Sequence, residues 1–258
     1  MIYRLDADTN GTLSIQQAID QEQMVNLPCS TFEQLDRHRL WLQQNISPGD
    51  WVILDTLSTM LETTRADRVL GSNLDEPLWE ASKVNKYFGD KEALSVYRMS
   101  TQLNLRALKN LRARGARILC LCHEADIKDP MAQMKLSGPE VNPAMVGDLI
   151  AASSCVFRLT MLTENRVNPQ TGEVLVPEGT RVLYLRRTDS FTAKYQADPQ
   201  YSDAVPRAII APTMQKIFDV LHSVPDWVTV YGFPGVGKTT LGGTLIQTSL
   251  HATQGTHV

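Results

Sequence analysis

The clearest pattern along the chain is a set of short apolar runs separated by segments with helical spacing. Residues 51–55 and 117–122 are too uniformly apolar to form half-exposed strands, and such runs are typical of strands covered on both faces of a parallel sheet. Residues 94–114 carry a long helical pattern that ends at Gly115, and Met214–Val224 carries a short amphipathic one. This alternation predicts an α/β fold.

The remaining segments are predicted from weaker signals. Residues 155–195 have the pattern of edge strands with a turn at 168–172. Proline, glycine and methionine are dense in 124–148, which predicts a long loop rather than regular structure. Several prolines in 197–213 indicate a linker, and we place that linker at 201–213, between residues 1–200 and 214–258. We expect the whole chain, 1–258, to form a single domain.

Composition narrows the class of protein. The 258 residues are 43% apolar with a formal charge of −3, which excludes a disordered tail and supports one large packed domain. Four cysteines at irregular spacing make a poor disulfide framework, so we expect a cytoplasmic protein. No apolar run has the length of a membrane span. The slight acidity argues against an extensive nucleic-acid-binding surface, although it does not exclude a local basic groove.

The most specific motif, G-x-x-x-x-G-K-[ST], lies near the C-terminus, after a β-branched strand at 228–231 and before a helical pattern. Its glycines let consecutive backbone N–H groups turn toward phosphate oxygens. Lys238 adds a charge to those oxygens, and the Thr239 hydroxyl holds Mg²⁺. The motif predicts ATP binding by Gly232, Pro234, Gly235, Val236, Gly237, Lys238, Thr239 and Thr240.

A site of this kind also requires an acid on a neighbouring strand to hold the metal. Few residues follow Lys238, so the acid must come from earlier in the chain. Asp55 ends the apolar strand 51–55, and acids at the carboxyl ends of such strands lie where ligands bind in α/β sheets. We therefore predict that Asp55 and Thr239 hold Mg²⁺.

Together these motifs resemble the RecA-like ATPase core, most closely the compact phage and archaeal members of the RecA/RadA recombinase group. The resemblance rests on Gly232–Thr240, Leu5–Asp8, Ile53–Ser58 and Ile118–Glu124, and it covers most of 1–200 and 214–258. It implies a mostly parallel twisted sheet with helices on both faces and an antiparallel edge. The motif order is changed, as if the chain were circularly permuted, with residues 255–258 running into a strand at 2–8.

The resemblance implies further roles for single residues. Asp8 matches the carboxylate that positions the attacking water, usually a Glu in the family, with Asp6 as the alternative. A helix cap or turn at Asp8 is a second interpretation. His123 matches the residue that senses the γ-phosphate, although a histidine bonded to backbone at a strand end is nearly as good an interpretation. Lys194, with Arg186 and Arg187 as alternatives, would complete a neighbouring subunit's site, unless these are solvated charges of a hairpin.

The expected function is a Mg²⁺-dependent ATPase that works on DNA, single-stranded rather than double-stranded, as a homo-oligomeric ring or filament and without a membrane. Its task would be recombination or single-strand annealing. DNA would be contacted by the segment 124–148 or by 63–91, which mixes cations with aromatic residues. Two alternatives remain: a hexameric helicase or packaging motor, and a nucleotide-gated regulator without rapid turnover.

Overall fold

The computed structural model describes residues 1–7, 15–62, 102, 104–128, 135–141 and 146–246. They form an eight-stranded sheet of β1 (Ile2–Asp6), β2 (Val25–Pro28), β3 (Trp51–Asp55), β4 (Arg117–Cys122), β7 (Cys155–Met161), β10 (Arg181–Tyr184), β11 (Ala208–Ile210) and β12 (Trp227–Tyr231). The strand order is β11-β10-β7-β12-β4-β3-β1-β2. The strands β8 (Arg166–Val167) and β9 (Val174–Val176) form a separate antiparallel pair. Every pair from β7 to β2 is parallel, whereas β10 pairs antiparallel with both β7 and β11.

Helices cover both faces of this sheet. Strand alternation in β4 divides its side chains between two apolar clusters, with Ile118 and Cys120 in one and Leu119 and Leu121 in the other. The first cluster packs against α2 (Phe32–Asn45), α3 (57–62), α4 (104–113) and α5 (Val146–Ala152). The second packs against α1 (Gln16–Asp20), α6 (Met214–Leu221) and α7 (Lys238–Gly243). The predicted α/β class with a mostly parallel sheet and an antiparallel edge is confirmed.

The late strand β12 lies near the middle of the sheet, between β7 and β4. Its neighbours are parallel to it, with Val228 opposite both Leu119 and Cys155. Because β12, β4, β3 and β1 all run in the same direction, their carboxyl ends meet at one edge of the sheet. That edge therefore collects the residues that follow each strand, from distant parts of the chain.

The prediction of a long loop at 124–148 is wrong for the described part of that segment. Residues 124–128 and 135–139 form the antiparallel hairpin β5–β6 (Glu124–Lys128 and Lys135–Pro139), and α5 begins at Val146. Gly138, which we interpreted as a loop signal, instead lies over Ile127, where an added Cβ would be 2.4 Å from Ile127 Cδ1. Glycine at this position allows the strand to pack closely against Ile127.

Two other predictions differ from the observed sheet. β7 is not an edge strand, because β12 covers one side of it and β10 the other. The segment assigned to a linker, 201–213, contains β11, which forms the edge of the sheet beyond β10. A strand as short as β11, with three residues, gives too little alternation for a sequence pattern to detect. The central position of β7 depends on tertiary pairing, which its own sequence does not specify.

Several predictions fall on residues outside the described part of the chain. These are the proposed proximity of Val258 to Ile2, the role of Asp8 and the aromatic and basic segment 63–91. The described part of the predicted strand 2–8 is β1, which ends at Asp6.

The four cysteines are buried free thiols. Burial raises the pKa of both Cys29 and Cys120 to about 12, so these thiols stay protonated at neutral pH. Among the described helices, none has the length and apolar character needed to cross a membrane.

Candidate functional site

The glycine-rich loop follows β12 directly and leads into α7. Gly235 and Gly237 have φ of +78° and +92°, in the left-handed region that favours glycine. Gly232 is required for a different reason, because a Cβ there would lie 2.2 Å from the carbonyl oxygen of Leu159 in β7. The loop therefore turns tightly against the sheet, as the motif predicts.

Lys238 is held inside this loop. Its side chain is buried, and Nζ donates to the carbonyl oxygens of Gly232 at 2.9 Å and Phe233 at 3.0 Å. A buried ammonium group needs such acceptors, because an unpaired buried charge is strongly unfavourable. The loop thus keeps a cation beside the backbone that would surround a bound anion.

Thr239 contacts Asp55, as the predicted metal site requires. Its Oγ1 donates to Asp55 Oδ2 at 2.8 Å, although the two residues are 184 positions apart. We expected the strand that carries Asp55 to be the neighbour of β12. Instead, β4 lies between β12 and β3. The helix α7 bridges that distance: a Cβ added at Gly242 would lie 3.5–3.9 Å from side-chain atoms of Leu119, Leu121 and Ile53, so α7 lies across β4 and β3.

The pair of Thr239 and Asp55 fits a magnesium ion. Asp55 Oδ1 is buried and has no hydrogen-bond partner among the described residues. Burial raises the pKa of Asp55, whereas Arg4 and Thr239 act in the opposite direction. Within the described ranges no cluster of three or more His, Cys, Asp or Glu side chains could hold a metal by itself. Mg²⁺ does not require such a cluster, because it commonly takes one or two protein ligands together with phosphates and waters.

Arg4 is a site residue that sequence analysis missed. Its side chain is 1% exposed and forms ion pairs with Asp55 Oδ2 and Asp6 Oδ2, both at 2.8 Å. Asn26 completes the group by donating to Asp6 Oδ2 at 3.1 Å and accepting from Arg4 Nη1 at 3.0 Å. The sheet register explains the cluster, because Arg4 lies opposite Ile53 and Asp6 lies opposite Asp55.

A signal for this cluster was present in the sequence. Arg4 and Asp6 alternate with the apolar Tyr3 and Leu5, so both charges face one side of a strand. Charged residues at every second position of a buried strand need partners on the same face. The partner strand could not be deduced, because nothing local to β1 specifies that β3 pairs with it.

His123 follows β4 at the same edge. Its Nε2 is 3.5 Å from Thr56 Oγ1, and its backbone N–H donates to Ser58 Oγ at 2.9 Å. Ser58 Oγ in turn donates to the carbonyl oxygen of Glu140, just after β6. The start of α3, the end of β4 and the base of the β5–β6 hairpin are therefore joined through the hydroxyl group of Ser58.

Glu124, the next residue, forms a second buried pair that the sequence did not indicate. Arg158 of β7 donates to Glu124 Oε1 from Nε at 3.0 Å and from Nη2 at 2.8 Å. The Glu124 side chain is 2% exposed. Because Arg158 lies opposite Tyr231, this pair sits beside the residue that precedes the glycine-rich loop.

The cations expected to act on a neighbouring subunit have contacts within this chain. Lys194 Nζ donates to the carbonyl oxygen of Ile150 in α5 at 2.8 Å. Arg186 donates to the carbonyl oxygen of Val205 at 2.6 Å. Their predicted roles stay predictions, and so does that of Asp8, which lies outside the described residues.

The site is therefore built from one loop, one helix and two strands. These are the glycine-rich loop, the start of α7 with Lys238 and Thr239, β3 with Asp55, and β1 with Arg4 and Asp6. Comparison with protein-family models, with curated proteins and with solved structures gives no match.

The buried ion pairs of Arg4 can be tested by a double-mutant cycle of Arg4→Met and Asp55→Asn. We expect Arg4→Met alone to lower the free energy of unfolding by about 3–5 kcal/mol, because it leaves buried carboxylates without their counterion. Removing Asp55 at the same time should recover part of that loss. Urea unfolding at pH 7 measures all four proteins of the cycle.

The exposed pair Arg37 and Glu33 on α2 is the matched control, because both side chains are more than two-thirds exposed. Its coupling energy should be no more than about 0.5 kcal/mol. A coupling energy between Arg4 and Asp55 as small as that of the control would contradict the interpretation of this cluster.

Proposed function

We propose that this protein binds Mg²⁺-ATP in the glycine-rich loop and hydrolyses it, as a RecA-like ATPase with a circularly permuted order of motifs. The observation that carries the proposal is the hydrogen bond between Thr239 and Asp55. It brings the two predicted metal-binding residues together beside Lys238, although they come from opposite parts of the chain.

The strand arrangement supports the permuted order. β12 and α7 come last among the described elements, yet β12 lies between β7 and β4 in the sheet. Taken in cyclic order from β12, the chain passes through α7, β1, β3 and β4, and each of these strands ends at the loop edge. This is the order in which the motifs resemble the RecA-like core.

Each residue of the site has a defined task in this proposal. The loop N–H groups and Lys238 bind the phosphates, and a fixed cation at this position stabilises the charge that develops during transfer. Mg²⁺, when held by Thr239 and Asp55, would neutralise the negative charge of the phosphate oxygens. Arg4 holds Asp55 in place through Oδ2, the oxygen that also accepts from Thr239.

The water-positioning carboxylate is assigned to Asp8. Its preceding residue, Ala7, donates its backbone N–H to the carbonyl oxygen of Asp55 at 2.8 Å. Ala7 therefore lies beside the end of β3, the strand that carries Asp55. Asp6 is less suited to the task, because it is buried and paired with Arg4. His123, near Thr56 at the adjoining strand end, is assigned to sensing the γ-phosphate.

Action on DNA is proposed from the resemblance. The β5–β6 hairpin follows β4 directly, and Ser58, three residues after Asp55 in α3, bonds to His123 and Glu140 on either side of the hairpin. In this proposal a change at the nucleotide reaches the hairpin through Ser58 and through Tyr231, whose hydroxyl group donates to the carbonyl oxygen of Ser137. The positive charge described on this hairpin is small, because Lys135 lies 3.9 Å from Asp126.

Lys238→Ala tests nucleotide binding directly. Because Lys238 supplies a buried charge to the phosphates, we expect its removal to reduce ATP hydrolysis by about 10²–10³-fold. Lys216→Ala is the matched control, since Lys216 is an exposed lysine of α6 whose Nζ donates to the nearby carbonyl oxygens of Ile210 and Ala211. Steady-state phosphate release with Mg²⁺ measures both, and normal turnover in the Lys238 variant would eliminate the proposed site.

Asp8→Asn separates binding from chemistry. We expect the variant to bind Mg²⁺-ATP with the affinity of the original protein and to lose hydrolysis, because an amide cannot accept the proton of the attacking water. Calorimetric titration and phosphate release measure the two properties. Asp6→Asn should instead lower the free energy of unfolding. Unchanged turnover in Asp8→Asn would move the catalytic role to another residue.

Addition of DNA tests the proposed substrate. We expect single-stranded DNA to increase the steady-state rate of ATP hydrolysis several-fold more than double-stranded DNA of the same length. Salt should weaken this stimulation, because phosphate contacts release counterions. Hydrolysis that responds to neither form would leave the nucleotide site intact and contradict the action on DNA.

A further inference from the structure

Arg181 lies at the loop edge, although it is far from the loop in sequence. It is the first residue of β10 and pairs with Met161, the last residue of β7. Since β7 runs parallel to β12, the carboxyl end of β7 is at the edge where the glycine-rich loop leaves β12. The topology therefore brings an arginine from the antiparallel part of the sheet to the proposed nucleotide site.

The guanidinium group of Arg181 packs directly against Gly237. A Cβ at Gly237 would lie 2.5 Å from Arg181 Nε, 2.6 Å from Cζ and 2.8 Å from Nη2. The planar group thus occupies the space that a side chain would need at this position. Gly237 immediately precedes Lys238, so the guanidinium group is placed beside the part of the loop that would surround phosphate.

Arg181 also differs from the other arginines near the site in its partners. Arg4 and Arg158 each bind carboxylates, and Arg186 binds a carbonyl oxygen. The Arg181 guanidinium has no hydrogen-bond or ion-pair partner among the described residues. It is half-buried, so its charge is partly removed from water without a counterion. An arginine held in this way has donors available for an anion.

We propose that Arg181 binds the phosphate groups of the nucleotide, in the same subunit as the loop and in addition to Lys238. This inference rests on the proposed function, because the loop must bind a nucleoside triphosphate for Arg181 to contact it. Arginine suits the task, since its fork of N–H donors matches two phosphate oxygens at once. The same contact gives Gly237 a second role, as the residue that leaves room for the guanidinium group.

The test compares Arg181→Ala, Arg181→Lys and Arg207→Ala in the full chain. Arg207 is the matched control, because it is exposed and precedes Ala208, which pairs with Tyr184 at the opposite end of β10. Calorimetric titration with Mg²⁺-ATP and with inorganic tripolyphosphate measures affinity. We expect Arg181→Ala to weaken both ligands by about 10- to 100-fold, as for loss of a charged hydrogen bond. Arg181→Lys should recover part of this loss, and Arg207→Ala should match the original protein.

The outcomes separate this inference from the proposed function. If the original protein binds both ligands and Arg181→Ala binds them equally well, the role of Arg181 is overturned and the nucleotide site stands. If Arg181→Ala weakens ATP and leaves tripolyphosphate unchanged, the contact is to the nucleoside and the phosphate assignment is overturned. If the original protein binds neither ligand, the proposed function fails and this inference fails with it. If the alanine variant folds poorly, the Arg181→Lys variant supplies the comparison, because it retains a long cationic side chain and loses only the fork of donors.

Discussion

The candidate site depends on one buried carboxylate. Asp55 Oδ2 accepts hydrogen bonds from Thr239 on one side and from Arg4 on the other, at 2.8–2.9 Å. Through these contacts Asp55 links the last described helix to two strands from the first part of the chain. A buried acid without such partners would be strongly unfavourable. The geometry of the loop, the proposed metal-binding pair and the first strand is therefore coupled at a single residue.

Sequence reasoning succeeded where the determinants are local. The strands 51–55 and 117–122, the amphipathic helix from Met214 and the glycine-rich loop all follow from residue spacing within a short window. It failed where distant strands decide the structure. The insertion of β4 between β12 and β3, the edge strand β11 and the ion pairs of Arg4 depend on sheet register, which no short segment specifies.

The arginines around the site illustrate how burial decides a cation's partners. Arg4 is almost completely buried, and two carboxylates and an amide satisfy it. Arg181 is half-buried against a glycine and has no such partner among the described residues. Fully buried charges must be satisfied within the fold, whereas a charge at the rim of a loop can remain available to a ligand. On this basis we propose that Arg4 positions Asp55 and that Arg181 binds the ligand.

The central claim is that Thr239 and Asp55 form a magnesium site beside a bound nucleotide. A crystal structure with Mn²⁺ and a non-hydrolysable ATP analogue tests it most directly, because the anomalous signal of manganese locates the metal independently of the protein. We expect the metal about 2.1 Å from Thr239 Oγ1, next to Asp55 and to the phosphates, with Lys238 Nζ released from the Gly232 carbonyl oxygen. A nucleotide bound elsewhere, or a metal distant from both Thr239 and Asp55, would contradict the account.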